Sequence, residues 1–419
     1  MDETSRQCDD DLKALRAHPA GNARRTLLRG LAALPLATLR MGAYAAPAAG
    51  SKFLLVFLRG GLDTASVLVP VSSDFYYRVR PDIAIARPGT RPDAALPLEA
   101  DWGLHPALGE ALMPLYQRRE LAFVAFAGTE DVSRSHFETQ DSIELGQPLE
   151  GTRDFGSGFL NRLVAALGGA GGGCTPIAFT DQLPLVMRGS QPIGNVALQS
   201  VGKTALDPRQ RDLIAAMYAP TRFSVPVGEG FAVREEIMKD LADEMDSASR
   251  GATTSKGFER DAQRMGKLMS EKFNLGFIDV GGWDTHVGQG GAKGYLATHL
   301  EELGRGLGAF VAALGPAWHD TTVVVMSEFG RTMRQNGNHG TDHGHGTAYL
   351  VLGGGIRGGR VAGEQRAITE AALFQNRDLP VLNEYRAVLG GLFARQFGLS
   401  GRDLEKVFPG ARPRDLQLA

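Results

Sequence analysis

Three of the nine histidines of the chain fall between positions 339 and 345, inside the segment Thr322–Gly346, which reads TVVVMSEFGRTMRQNGNHGTDHGHG. The apolar start of this segment is typical of a buried strand, and its glycine- and asparagine-rich part carries Asp342, His343 and His345. Imidazole and carboxylate groups are ligands for zinc and related divalent ions. A loop beyond a strand end lets such ligands converge on one point, so the segment predicts part of a metal-dependent hydrolase site.

Further polar side chains follow apolar runs that are typical of buried strands, including the run that opens the segment Thr322–Gly346. They are Asp63, Asp284, His286 and Glu328. Parallel strands point their carboxyl ends to the same edge of a sheet, where open α/β folds bind ligands. Together with Asp342, His343 and His345, these side chains supply enough ligands for two divalent ions about 4 Å apart, an arrangement that activates a nucleophile and neutralises a phosphate or sulfate in transit.

Each of these residues also has a structural interpretation. Asp63 fits a cap in the glycine-rich turn where it lies, and Asp284 and His286 fit a hydrogen-bonded pair within their loop. The shared position at several strand ends, rather than any single residue, favours the metal site.

Two serines lie beyond another apolar run, Leu121–Ala127. Ser133 and Ser135 stand just before a predicted helix from Phe137 to Leu145. The first backbone amides of a helix have no partner within it and point towards its N-terminal end. A hydroxyl at this position is therefore suited to contact an anionic group.

Strands alternate with helices along most of the chain, which predicts a mainly parallel sheet covered by helices on both faces, a three-layer α/β/α fold. The predicted strands are Lys52–Leu58, Leu121–Ala127, Pro176–Phe179, Leu183–Met187, Leu275–Val280, Thr322–Met326 and Tyr349–Leu352. The predicted helices are His105–Arg118, Phe137–Leu145, Phe159–Leu167, Asp207–Tyr218, Ala232–Met245, Phe258–Phe273, Leu296–Leu314 and Asn383–Gln396. The segment Val67–Arg91 is predicted to be an irregular surface excursion.

The first 45 residues resemble a twin-arginine export signal. Arg24 and Arg25 precede the short apolar run Gly30–Leu39, and Ala43-Tyr44-Ala45 reads as a cleavage site. An amphipathic first helix is the alternative. The signal predicts the Tat translocase as a partner during export and a periplasmic or secreted location. Residues 46–419 are then expected to form a single domain with a helical insertion at about 205–272.

Charge and hydropathy exclude two other classes of function. The 419 residues carry a formal net charge of −2, which gives no electrostatic footprint for nucleic acid. The N-terminal apolar run is shorter than the ~20 residues that a membrane-spanning helix needs, and no longer run follows. Neither a nucleic-acid partner nor a stable membrane span is expected.

Four motifs resemble one family. They are RGGLDT at 59–64, RSHFETQD at 134–141, GGWDTH at 281–286, and SEFGRT with GTDHGHG between 327 and 346. The chain resembles the DUF1501 family of exported, sulfatase-like proteins, which is grouped with the alkaline phosphatase superfamily. The resemblance implies an alkaline-phosphatase-like fold that holds two divalent ions, with zinc first and calcium, manganese or magnesium as alternatives. It also implies a serine, threonine or modified cysteine nucleophile at a helix start.

The resemblance assigns roles by position. Asp63 matches the metal aspartate of the first strand, and Ser135 matches the nucleophile, with Ser133 behind it. Asp284 and His286 stand near the second metal motif, Glu328 stands where an aspartate is usual, and His343 or His345 supplies the last imidazole. Arg134 or Arg331 is expected to hold the anion. Neither Cys8 nor Cys174 has the Cys-x-Pro-x-Arg context of a formylglycine sulfatase.

The sequence thus predicts an exported hydrolase or transferase that acts on a small-molecule or glycan ester of phosphate or sulfate. The alternative belongs to another class: an exported binding or assembly module that retains the fold and holds a structural ion or none.

Overall fold

A computed structural model describes residues 50–169, 173–198, 208–221, 224 and 257–419 of the chain. The export signal predicted for residues 1–45 and the helix predicted at 232–245 lie outside these ranges. Most of the predicted helical insertion lies outside them as well, so these three features stay predictions.

Nine strands form one sheet within the described part of the chain. They are β1 (Lys52–Leu58), β5 (Leu121–Gly128), β6 (Pro176–Ala178), β7 (Gly194–Asn195), β8 (Leu275–Val280), β9 (Thr321–Ser327), β10 (Thr347–Gly353), β11 (Arg360–Ala362) and β12 (Asn383–Glu384). Their order across the sheet is β11-β5-β10-β9-β1-β8-β6-β7, and β12 also pairs with β5. The short strands β2 (Leu68–Pro70), β3 (Leu96–Pro97) and β4 (Trp102–Leu104) form a separate antiparallel sheet.

The sheet is parallel except for one strand. The central strand β1 pairs in parallel with β8 and β9, whereas β10 runs antiparallel to both of its neighbours, β9 and β5. No helix lies between β9 and β10, so the chain returns directly and β10 must reverse direction. The loop between these strands therefore lies at the same edge of the sheet as the carboxyl ends of β1 and β8.

Helices cover both faces of the sheet. They are α1 (Thr64–Val67), α2 (Asp74–Val79), α3 (Gly109–Gln117), α4 (His136–Leu145), α5 (Phe159–Ala166), α6 (Pro208–Tyr218), α7 (Phe258–Glu271), α8 (Tyr295–Leu314), α9 (Tyr385–Phe397) and α10 (Gly401–Val407). Alternate side chains of β1 enter different cores: Leu54 packs with residues of α7 and α8, and Phe53 with residues of α5 and α9. The predicted three-layer α/β/α fold with a mainly parallel sheet is confirmed.

Two local predictions are wrong. Leu183–Met187 is not a strand, because Leu185–Met187 forms a turn of 3₁₀ helix. The segment Val67–Arg91 is not a surface excursion, because it carries β2 and α2 and buries the side chains of Tyr76 and Arg80 completely. Arg80 is buried because it has an acidic partner in the interior, and its position in the sequence does not reveal that partner.

Within the ranges that the structure describes, no helix combines the length and the apolar character needed to cross a membrane.

Candidate metal centre

Three side chains from three separate elements meet at the edge of the sheet where β1, β8 and β9 end. His136 comes from the first turn of α4, Asp284 from the loop after β8, and His343 from the loop between β9 and β10. One ligand atom from each of these side chains lies within 4.8 Å of the other two. This is the one group of candidate metal ligands found among the described residues.

The carboxylate of Asp284 is at the middle of this group. Its Oδ1 atom lies 3.0 Å from Nε2 of His286 and 3.3 Å from Nε2 of His343, and its Oδ2 atom lies 3.6 Å from Nε2 of His136. The Nε2 atoms of His286 and His343 are 3.0 Å apart. Ligand atoms that sit about 2.0–2.2 Å from a tetrahedral zinc ion are about 3.3 Å from one another, so these separations fit a shared ion.

Each of the three imidazole rings has an oxygen partner on its other nitrogen. Nδ1 of His136 is 2.8 Å from Oε1 of Glu328, Nδ1 of His286 is 3.2 Å from Oδ1 of Asp342, and Nδ1 of His343 is 2.9 Å from the backbone oxygen of Arg134. An Nδ1–H group that donates to oxygen leaves Nε2 as the atom with the lone pair. All three lone pairs are thereby available at the Asp284 carboxylate.

The Nε2 atom of His136 is buried and has no hydrogen-bond partner. Buried polar atoms without a partner are rare in folded proteins. The local charge also lacks compensation, because within the described part of the chain the carboxylates of Asp284, Glu328 and Asp342 have one guanidinium partner, that of Arg331. A divalent cation would satisfy the nitrogen and neutralise the two surplus negative charges, so the residues present fit a metal ion.

The environment shifts the pKa values of these groups in different directions. Burial alone would raise the pKa of Asp284, but the hydrogen bond and charge of Arg331 outweigh it and lower the pKa. The hydrogen bond to Glu328 raises the pKa of His136 against the effect of burial. Burial, aided by the charge of His136, lowers the pKa of His343. The cluster therefore keeps the Asp284 carboxylate ionised and the His343 ring neutral, the protonation states that metal ligands require, whereas the His136 ring must give up any proton on Nε2 when it binds an ion.

Glu328 and Asp342, both predicted as metal ligands, contact the histidines of the cluster. Glu328 is fully buried and accepts hydrogen bonds from the backbone amide of Gly60 (2.8 Å) and the side-chain amide of Gln140 (2.8 Å). Burial would raise the pKa of Glu328, but its hydrogen bonds from His136 and Gln140 outweigh that effect and lower it. The structure places both carboxylates where they orient imidazole rings.

The glycines of the first motif permit the close approach of two loops. A Cβ atom on Gly60 would lie 2.6 Å from the backbone nitrogen of Asp284, and Gly60 has a φ of +126°. Only glycine adopts that backbone conformation without strain and leaves room for the Asp284 loop. The RGGLDT motif therefore positions the GGWDTH motif beside it.

Asp63 lies outside the cluster. Its two oxygens bind Arg80, at 2.6 Å from Nη1 and 2.8 Å from Nη2, and it also accepts hydrogen bonds from Ser66 and Gln289, both at 2.6 Å. Both charged side chains are buried, at 1% and 0% exposure. The predicted metal aspartate of the first strand therefore has a guanidinium partner where an ion was expected.

The two arginines predicted to hold an anion are engaged with protein groups. Arg331 is buried and donates to Oδ1 of Asp284 (2.6 Å) and to the side chain and backbone oxygen of Thr341. Arg134 forms an ion pair with Asp378 (2.7 Å) and donates to Gln375 (2.6 Å). Both arginines hold the loops that carry the cluster.

His345 is also placed away from the cluster. Its ring packs on Phe374 with a centroid separation of 4.8 Å, and burial lowers its pKa to about 4.

Ser135, the predicted nucleophile, is the N-cap of α4. Its Oγ accepts a hydrogen bond from the backbone amide of Glu138 at 3.4 Å. Ser135 is next to His136 in sequence, so the predicted nucleophile lies one residue from a candidate ligand.

His136 is not among the site residues predicted from the sequence, although it lies inside the RSHFETQD motif. A signal was present: a histidine in the first turn of a helix that follows a buried strand, at the same sheet edge as the other candidates. The neighbouring serines share that position, so the position alone does not single out the histidine.

Comparisons with known proteins assign the chain to a family. The family model described as "Protein of unknown function (DUF1501)" matches residues 51–408. No curated protein matches the chain.

Solved structures with low similarity include a protein in the alkaline phosphatase superfamily from Vibrio parahaemolyticus, with 12% identity and a TM-score of 0.35. The match covers 75% of this chain and 64% of that one, so the chain spans less than two thirds of the length of that protein. Ps i-CgsB is similar at 10% identity, with a TM-score of 0.36 alone and 0.34 in complex with k-i-k-neocarrahexaose. Both matches to Ps i-CgsB cover 88% of this chain and 75% of that one.

Proposed function

The chain belongs to the DUF1501 family, and from this premise we propose that it is a metal-dependent hydrolase or transferase acting on phosphate or sulfate esters. One observation carries the proposal: the Nε2 atoms of three histidines surround the Asp284 carboxylate, while the Nδ1 atom of each ring faces an oxygen. Metal-binding histidines have this second contact because it fixes the tautomer and orientation of the ring.

We propose one ion in this centre, held by His136, Asp284 and His343, with His286 completing the set. The second ion expected from the sequence is left out because Asp63 is paired with Arg80. Imidazole-rich sites with one carboxylate suit zinc better than calcium or magnesium, which prefer oxygen ligands. A bound divalent cation would supply Lewis-acid chemistry, which neutralises ester charge and acidifies a nearby hydroxyl.

The start of α4 supports an anionic substrate. Ser135 accepts hydrogen bonds from the backbone amides of Glu138 through its Oγ and of Thr139 through its carbonyl (2.9 Å). The amides of His136 and Phe137 precede these in the first turn, where helix amides have no partner within the helix. Together with the positive end of the helix dipole, they favour a bound phosphate or sulfate next to the His136 ring.

In the proposed reaction, Oγ of Ser135 attacks the phosphorus or sulfur atom of an ester bound at this helix start. A bond from Oγ to phosphorus or sulfur forms, the bond to the ester oxygen breaks, and the alcohol leaves with a proton. Water or a second alcohol then takes the group from Ser135, which gives hydrolysis or transfer. Ser133 is the alternative nucleophile, and its Oγ lies 3.3 Å from the backbone nitrogen of Ser135.

The arginines act as positioning residues in this scheme. Arg331 fixes the Asp284 carboxylate from the buried side, and the backbone oxygen of Arg134 fixes the ring of His343. Neither is proposed to bind the substrate anion, since their guanidinium groups already donate to Asp284, Thr341, Asp378 and Gln375.

Elemental analysis of the protein expressed with supplemented zinc tests the proposal. We expect about one zinc ion per chain, and a large loss of zinc in both the His136→Ala and the His343→Ala variants. His319→Ala is the matched control, because His319 is an exposed histidine whose ring contacts Asp320. Less than half an ion per wild-type chain, or equal zinc in all three variants, would rule out the centre.

Turnover of p-nitrophenyl phosphate and p-nitrophenyl sulfate then tests the chemistry. We expect activity that is lost with Ser135→Ala and on removal of the ion with a chelator. An ion that stabilises the fold without turnover of any ester would instead favour the exported binding or assembly module. Activity that survives Ser135→Ala and falls with Ser133→Ala would move the nucleophile to Ser133.

We also propose export through the Tat translocase to a periplasmic or secreted location. Arg24 and Arg25 carry this proposal. Replacement of both by lysine should retain the chain in the cytoplasmic fraction, and unchanged fractionation would contradict it.

A further inference from the structure

We propose that an open groove beside the metal centre binds a neutral, polyhydroxylated body of the substrate, such as a sugar chain. The proposal rests on the proposed function and names the substrate class of the same site. The groove has a volume of about 580 Å³. Its lining includes Asp141, Phe155, Asp181 and Gln182.

A chain of hydrogen bonds connects the wall of the groove to the metal centre. Arg59 lines the groove and donates from Nη1 to the side-chain oxygen of Gln140 (2.8 Å). Gln140 donates to Glu328 (2.8 Å), and Glu328 holds Nδ1 of His136 (2.8 Å). Gln140 and Glu328 therefore link Arg59, in the wall of the groove, to a candidate metal ligand.

Helix α4 gives the groove and the centre a common face. Phe137, Asp141 and Glu144 stand at positions i, i+4 and i+7 of this helix and so lie on one face of it. Asp141 and Glu144 line the groove, and Phe137 follows the candidate ligand His136. This face thus extends from the groove to the first turn of α4, which also carries the candidate ligand His136.

Two phenylalanines are exposed in this region, one on α4 and one in the groove. The side chain of Phe137 is 85% exposed and that of Phe155, in the groove, is 54% exposed. A large apolar side chain exposed at a concave surface, as Phe155 is, is typical of a binding site. A flat ring offers a stacking surface for the apolar face of a sugar ring, whereas the hydroxyl edge of the sugar requires polar partners.

The polar side chains of the groove accept hydrogen bonds from hydroxyl groups. No ion pair involves Asp141 or Asp181 among the described residues, and both carboxylates line the groove. The charge of Arg59 is compensated by Glu144 (2.9 Å) and Asp279 (2.6 Å). Arg188 also lines the groove, so the lining carries four carboxylates against two guanidinium groups. The groove is therefore net acidic, which disfavours a polyanionic body and favours a neutral body whose hydroxyls donate to carboxylates.

Isothermal titration with neutral hexasaccharides tests the proposal. Maltohexaose, cellohexaose and N-acetylchitohexaose are titrated into the full chain with zinc bound and after zinc removal. We expect at least one of them to bind in both states, about tenfold more weakly to Phe155→Ala and to Asp181→Asn. Leu213→Ala is the matched control, because Leu213 is an apolar side chain, 62% exposed, on α6 and is not among the lining residues of the groove.

The outcomes separate this inference from the proposed function, because binding is read without turnover and without zinc. Absence of binding by all three neutral sugars would overturn the inference, as would binding that both groove variants leave unchanged. Chitosan hexamer is titrated in the same way as a cationic comparison, and binding of this sugar alone would overturn the inference in favour of a cationic ligand. The proposed function fails instead if zinc content and ester turnover are absent while the sugars still bind.

Discussion

The guanidinium of Arg80 forms a two-pronged ion pair with the carboxylate of Asp63 in the protein interior, with N–O distances of 2.6 and 2.8 Å. Arg80 also donates to the backbone oxygens of Thr332 (2.9 Å) and Met333 (2.8 Å), in the loop after β9. Asp63 in turn accepts from Gln289, whose side-chain oxygen accepts from Thr341 (2.8 Å). The pair therefore ties the first strand end to the loop that carries His343.

Arg80→Met should destabilise the fold by about 3–5 kcal/mol, because it leaves the Asp63 carboxylate buried without a countercharge. The double variant Arg80→Met with Asp63→Asn should recover part of that loss. Urea denaturation of Arg80→Met, Asp63→Asn, the double variant and the wild type measures both effects. Additive losses from the two substitutions would show that the pair does not contribute as a unit.

Asp63→Asn distinguishes the ion pair from metal binding. If Asp63 serves Arg80 alone, the variant retains the zinc content of the wild type per folded chain, although its stability falls. If Asp63→Asn instead loses as much bound zinc per folded chain as Asp284→Asn does, Asp63 belongs to the ligand set. Burial would raise the pKa of Asp63, but Arg80 outweighs it and lowers the pKa. The stabilisation by the pair should therefore be complete above the pKa of an unfolded-chain aspartate, about 4, and be lost as the pH falls through the lowered pKa of the folded state.

His105 should make the fold less stable in mild acid. Burial lowers its pKa to about 4, whereas a histidine in an unfolded chain titrates near 6.5. Between these values the unfolded chain binds more protons, so stability falls as the pH falls from about 7 to 4, by at most about 3 kcal/mol. Urea midpoints measured across this range test the slope.

His105→Asn is the control for this pH dependence. The ring of His105 accepts a hydrogen bond from the backbone amide of Ala107 at 3.0 Å, and asparagine can cap a helix start in the same way. The variant should lose stability at every pH but show a flatter slope between about pH 4 and 6.5. An unchanged slope would assign the dependence to another group.

Asp342→Asn should weaken zinc binding by about 10- to 100-fold, because Asp342 orients the His286 ring. Asp82→Asn is a matched control: Asp82 also contacts a histidine through a carboxylate, at 3.1 Å from Nδ1 of His339, but on the surface. Competition with a chromophoric chelator measures both affinities. Equal affinities in the two variants would remove His286 from the ligand set.

The sequence predicted the strands well because continuous apolar runs such as Lys52–Leu58 and Leu275–Val280 are buried on both faces of the sheet. It also predicted that Asp284 and His343 lie close together, because the carboxyl ends of the parallel strands and the loop before β10 lie at the same edge of the sheet. It did not reveal the partner of Asp63. Arg80 is one of many arginines in the chain, and its burial depends on a contact across 17 residues that no periodicity encodes.

The difference between a ligand and the residue that orients it is equally invisible in the sequence. Glu328 and Asp342 have the residue types and positions of ligands, yet each contacts the Nδ1 side of a histidine. A rotation of one side chain decides between the two roles. His136 was missed for the opposite reason: it lies in the group of candidate ligands, but its position at a helix start does not show the direction of its ring.

Asp378 should hold His343 in place without contacting it. Its carboxylate pairs with Arg134 (2.7 Å) and lies 3.7 Å from Nε of Arg377. Both arginines also hold His343: the backbone oxygen of Arg134 accepts from Nδ1 of the ring (2.9 Å), and Arg377 donates to the backbone oxygen of His343 (2.6 Å).

Asp378→Asn should therefore release both arginines and lower the zinc affinity about tenfold or more, the size typical of a residue that supports a ligand. The visible absorption of the cobalt-substituted protein reports the coordination geometry and should change in this variant, whereas simple destabilisation would leave the spectrum of the folded fraction as it is. Arg395→Gln provides a control, because the exposed pair of Arg395 with Asp415 (2.8 Å) lies between α9 and the C-terminal segment. A cobalt spectrum and affinity identical to those of the wild type would show that the two arginines hold His343 independently of Asp378.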